Sequence, residues 1–155
     1  MSVETIHNLD SETKEALQDL LTLNIDSRDG FHESSQKIDD VTIGSLCQTL
    51  SMQRQAQADE IAQLMEIAAE RVDREGSFAA AAHRIWIDIR ESLANDNTYS
   101  ILAEAERGED RIKEAYETYL ESITEPTVRD LLSRHYTQVC AAHDRIRMLR
   151  DEFKD

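Results

Sequence analysis

Glu109 and His143 have the residue types of metal ligands. A carboxylate offsets the charge of a bound ion, and a neutral imidazole supplies a nitrogen donor. Di-metal sites inside four-helix bundles draw a Glu from each of two helices and a Glu-x-x-His pair from each of the other two. Glu109, His143 and, one turn away, Glu106 are the ligands this chain offers, with iron or manganese as the fitting metals. The pattern is incomplete. The residue three before His143 is Cys140, and the matching stretch of the second helix reads Gln53-Arg54-Gln55-Ala56-Gln57. Two ions need several carboxylates, and beyond Glu109 and Glu106 only Asp29 and Glu33 come into question.

The same residues support a second chemistry, a hydrogen-bonded layer inside a core. Asn24, Arg28, Gln53, Gln57, Glu109 and His143 all fall on or beside apolar stripes near the middle of their helices. In a bundle, mid-helix positions meet at one level. Arg28 is expected to pair with Glu109 or Glu106, while Gln53, Gln57 and His143 satisfy one another. An inward Arg28 repels a cation. The expectation is therefore a structural polar layer of Arg28, Gln53, Gln57, Glu109 and His143, with no cofactor. No Gly-rich phosphate loop, nucleophile elbow or Cys-His-Asp arrangement is present, so no catalytic residue is assigned.

Helices must position these residues. With 4 Gly and 1 Pro in 155 residues, an all-β fold is nearly excluded. Asp10-Ser11 caps a first helix that runs to about Lys37, with Leu17, Leu20, Leu21 and Phe31 on its apolar side. Asp39-Asp40 breaks the pattern and caps a second, from Val41 to Arg74 before Gly76. Its stripe holds Ile43, Leu46, Leu50, Gln57, Ile61, Leu64, Ala68 and Val72. A short helix from Phe78 to Leu93 follows Ser77. A fourth runs from Thr98 to Ser122 and carries Ile101, Leu102, Ala105, Glu109, Ile112 and Tyr116. Pro126 opens the last, which carries Val128, Leu132, His135, Val139, Ala142, Ile146 and Leu149.

Four of these helices are long, about 25 to 34 residues, or roughly 37 to 50 Å at 1.5 Å per residue. The expected fold is all-α: residues 1–9 form an N-terminal tail, and 10–155 a single four-helix bundle. The connection between the second and third long helices is a helical crossover, which marks a ferritin-like bundle. The apolar side of that crossover, with Ile85, Trp86 and Ile89, either covers the bundle or forms a homodimer contact.

Composition narrows the partners. With 17 Lys+Arg against 32 Asp+Glu, the net charge is −15. That repels nucleic-acid phosphates and anionic lipid, so no nucleic-acid or membrane partner is expected. The longest apolar run, Phe78 to Ala82, is too short to cross a membrane. Met1 to Asp10 has neither the basic start nor the apolar core of an export signal. Cys47 and Cys140 lack metal-site spacing. They read as reduced thiols on or beside apolar faces in a cytoplasm.

Several segments together resemble a bacterial family of ferritin-like four-helix-bundle proteins of unknown function. They are Gly30-Phe31, Gln53 to Gln57, Ala82-His83-Arg84-x-Trp86, Leu102 to Asp110 and Ala141 to Arg147. The resemblance extends from about Asp10 to Asp151. The wider superfamily contains ferritins, rubrerythrins and manganese catalases. Against a rubrerythrin-like pattern, Glu109 takes the place of a bridging carboxylate and His143 that of a histidine ligand. Gln or Cys fills the remaining ligand places. The expected function is a non-enzymatic structural or interaction protein with a polar core layer and an unknown protein partner. The alternative is a metal-binding protein with oxidase, peroxide-detoxifying or iron-handling activity.

Overall fold

The computed structural model describes residues 9–68 and 98–154. They form four helices: α1 (Ser11–Lys37), α2 (Val41–Ile67), α3 (Thr98–Ser122) and α4 (Pro126–Glu152). The short helix expected at Phe78 to Leu93, its role as a crossover or dimer contact, and the last turns expected of the second helix lie outside the described residues.

Local chemistry sets the helix starts. The Asp10 carboxylate accepts a hydrogen bond from the Thr13 amide at 2.8 Å, Asp40 from Ile43 at 3.0 Å, and Glu125 from Val128 at 2.7 Å. Each satisfies an amide that has no partner within the helix. Pro126 occupies the first turn of α4, where its missing N–H costs nothing. At the other end of that turn, Arg129 donates to the carbonyl oxygens of Leu120 and Ile123, which closes the C-terminus of α3. Asp40→Ala is expected to lower the unfolding free energy by about 1 kcal/mol, the usual worth of such a cap. Urea denaturation would measure it.

The cross-helix contacts fix direction. Asp19 meets Tyr119 and Asn24 meets Tyr116, so α1 and α3 are antiparallel. Glu60 meets Arg134 and Gln57 meets Gln138, so α2 and α4 are antiparallel. Three-residue connections make α1 with α2, and α3 with α4, antiparallel hairpins. α2 and α3 consequently run the same way, and the end of α2 and the start of α3 lie at opposite ends of the bundle. Around its axis the helices stand in the order α1, α2, α4, α3.

The core comes in two parts. One contains Leu17, Leu20, Leu21, Ile25, Ile61, Met65, Tyr116, Val128 and Leu132. The other contains Phe31, Ile43, Cys47, Leu50, Leu102, Ala105, Ile146 and Leu149. Between them, Ser27, Ser51, Arg54, Gln57, Glu109 and His143 are buried. Of the residues expected to form a polar layer, Gln57, Glu109 and His143 are among these, while Gln53 is half-buried.

Candidate functional site at the polar layer

Arg54 and Glu109 form the centre of this layer. Their side chains are 0% and 1% exposed, and Arg54 Nη2 is ion-paired with Glu109 Oε2. Arg54 Nη1 also donates to Gln53 Oε1 at 2.7 Å and Gln57 Oε1 at 3.1 Å. Gln57 passes the chain on, donating to Gln138 Oε1 at 2.8 Å. The guanidinium thus ties α2 to α3, and the glutamines tie α2 to α4. Burial pushes the Glu109 carboxyl above its ordinary value, and the Arg54 charge opposes that shift. Two atoms of the pair, Arg54 Nε and Glu109 Oε1, have no hydrogen-bond partner.

Arg28 corrects the expectation from the sequence. It is not in the layer: its side chain is 31% exposed, lies 2.7 Å from Asp29 and donates to Gln55 at 2.8 Å. Helical phase explains this. The inward positions of α1 fall at Leu17, Leu20, Asn24, Ser27 and Phe31, and Arg28 sits one step round from that seam. Charge on a half-buried position is better satisfied at the rim, where water still reaches it.

His143 also departs from expectation. It does not join Gln53 and Gln57 but turns toward α3, where its Nε2 lies 2.5 Å from Asp110 Oδ1 and 3.8 Å from Glu106 Oε1. The donor atoms of Glu106, Asp110 and His143 all fall within 4.8 Å of one another. Of the three metal-ligand candidates, then, Glu106 and His143 come together. Glu109 faces Arg54 instead, and Asp110 takes its place in the group. The central residues do not fit a dinuclear metal site. Its one carboxylate is held by a guanidinium, and amide side chains supply the rest.

A second network, which joins Asn24 and His135 in a pairing not expected from the sequence, lies about two turns further along. Asn24 Nδ2 donates to the Leu20 carbonyl at 2.8 Å and to the Tyr116 hydroxyl at 3.0 Å. Tyr116 is 2.9 Å from His135 Nδ1, and His135 Nε2 is 3.2 Å from Glu60 Oε1. The donor count fixes the direction. The Glu60 carboxylate can only accept, so neutral His135 carries its proton on Nε2 and donates it to Glu60, which leaves Nδ1 to accept from the Tyr116 hydroxyl. Glu60 lies on the rim of an open groove between α2 and α4, beside Arg134 and Ile67. Burial holds the His135 imidazole below its ordinary pKa, despite Glu60, and pushes the Tyr116 phenol up.

Among the remaining candidates, His32 is exposed, Cys47 is buried and Cys140 is half-buried, both cysteines with free thiols. Burial pushes the Cys47 thiol up to about 11, so it behaves as a small apolar side chain. The enclosed void between Phe31, Cys47, Ala105 and Ile146 is about 10 Å³, room for one water-sized sphere at most. No helix among the described residues is long and apolar enough to cross a membrane.

The fold and this layer define the protein as an all-α four-helix bundle with an ionic centre. The chain belongs to the family described as Domain of unknown function (DUF2383), whose pattern matches residues 12–122. No curated protein sequence matches the chain.

Proposed function

We propose that this protein is a ferritin-like bundle with a structural or interaction role and no catalytic activity, and that a protein cation, Arg54, stands at the centre of its core. The ferritin-like reading is supported by the parallel course of α2 and α3. That course leaves a single long connection of the kind seen in ferritin-like folds. The single observation that carries the functional reading is the buried Arg54–Glu109 pair. An arginine held inward by Glu109, Gln53 and Gln57 repels a central metal ion and withdraws the carboxylate such an ion needs. The acidic surface disfavours nucleic-acid and membrane partners. The two free thiols are consistent with a reducing cytoplasm. Exposed Met52 and Met148, 68% and 61% accessible, offer apolar contact to a protein partner or a second copy.

The test is ferrous iron oxidation by dioxygen or hydrogen peroxide. With the purified protein the rate is expected to equal that of buffer, and Glu109→Gln is expected to leave it unchanged. A catalysed rate that Glu109→Gln abolishes would establish redox metal chemistry at the centre and remove this proposal.

A further inference from the structure

We propose that Glu106, Asp110 and His143 bind one divalent transition-metal ion at the seam of α3 and α4. Glu106 and Asp110 stand four residues apart on α3, one helical turn, so both carboxylates lie on one face. His143 reaches them from α4. Donors around an ion with bonds of about 2.0 to 2.2 Å stand roughly 3 to 4.4 Å apart. The three donor atoms, within 4.8 Å of one another, need little movement to adopt that spacing. Asp110 is half exposed at 50%, so it can turn to open its close contact with His143. One imidazole with two carboxylates suits zinc, manganese or ferrous iron rather than a soft monovalent ion.

The surroundings fit an ion as well. Arg150 holds Glu106 Oε2 and leaves Oε1 facing His143. One buried polar atom of the group has no hydrogen-bond partner, and a cation there would give it a role. It is His143 Nδ1, in a side chain 8% exposed, with Asp144 Oδ1 at 3.6 Å. A metal on Nε2 places the ring proton on Nδ1, and ligating histidines commonly donate that proton to a carboxylate.

This site is mononuclear and lies off the centre, so it requires no redox chemistry and does not depend on the functional reading above. The test uses the full chain, stripped with chelator and titrated separately with Zn²⁺ and Co²⁺. Calorimetry gives the stoichiometry, and the visible absorption of Co²⁺ reports its ligand geometry. One ion per chain is expected. Asp110→Asn and His143→Gln should each weaken binding by at least about tenfold, and Asp144→Asn by about tenfold or somewhat more. Glu114→Gln, on an exposed position of α3, should leave binding unchanged. Circular dichroism checks folding. Should His143→Gln fail to fold, the half-exposed Asp110→Asn carries the test. No binding, or binding that survives Asp110→Asn, overturns the proposal. Iron oxidation at the buffer rate would still stand in that case, so failure here is distinguishable from failure of the functional reading.

Discussion

Glu109→Leu is expected to lower the unfolding free energy by about 3 to 5 kcal/mol, and Arg54→Met by a similar amount. Each leaves a charge inside a core that excludes water, since the two side chains are 1% and 0% exposed. Removing Glu109 leaves Arg54 with only the amide oxygens of Gln53 and Gln57, which can hydrogen-bond a guanidinium but cannot neutralise it. The double variant Arg54→Met/Glu109→Leu is expected to recover most of the loss, and to equal or exceed the parent protein. Burying an ion pair forfeits hydration that an apolar pair of similar volume never had. Urea unfolding of all four proteins gives the interaction energy directly. Single variants that each lose less than about 1 kcal/mol would contradict a buried ionic centre. So would a double variant that loses the sum of the two.

The second expected result concerns acid. His135 is held neutral in the fold by burial, while in the unfolded chain it titrates near its ordinary value of 6.5. Above that pH both states are neutral, and the residue contributes no pH dependence. As the pH falls below 6.5, the unfolded chain takes up a proton that the folded chain refuses. Stability therefore falls, by up to about 1.4 kcal/mol per pH unit, until the lowered folded pKa is reached. Hydrogen bonding gives the same sign. A proton on Nδ1 would make His135 a second donor to Tyr116, whose own hydroxyl proton would then have no acceptor. Glu60 is held low by Arg134 and His135, though its burial opposes them, so its loss of stability begins only below about 4.5. Glu109, pushed up by burial, also titrates above 4.5 in the fold and with the opposite sign, so the His135 contribution is the difference between two slopes over about pH 5 to 6.5. The measurement is the unfolding free energy across that window for the parent and His135→Gln. The parent should show the steeper decline. Equal slopes would mean that His135 takes a proton in the fold.

Much of this architecture was legible in the linear sequence because its signals are local. The caps at Asp10 and Asp40 and the first-turn proline at 126 depend on neighbours three residues away, and all three occur where the sequence puts them. The stripes from Leu17 to Phe31 and from Ile101 to Tyr116 are buried as their periodicity requires. Part of the inward polar set was legible too, because Asn24, Gln57, Glu109 and His143 fall at buried positions on their stripes. The sequence also carried the signal for Arg54. Ile43, Cys47, Leu50, Arg54, Gln57 and Ile61 advance by alternating steps of four and three, which puts Arg54 squarely on the inward seam of α2.

Pairing was decided only by the tertiary structure. Arg28 and Arg54 both lie near the middle of their helices, and a fraction of a helical turn separates a guanidinium at the rim from one at the centre. Which of them meets Glu109 depends on how α1, α2 and α3 rotate about their own axes as they pack, and no local pattern records that rotation. The same holds for His143, which turns to Glu106 and Asp110 rather than to the glutamines, and for the path from Asn24 through Tyr116 and His135 to Glu60. Those contacts join residues 19 to 92 positions apart in the chain. Helix and cap positions follow from short-range chemistry, whereas the partner of a buried charge is set by the long-range packing that excludes water from it.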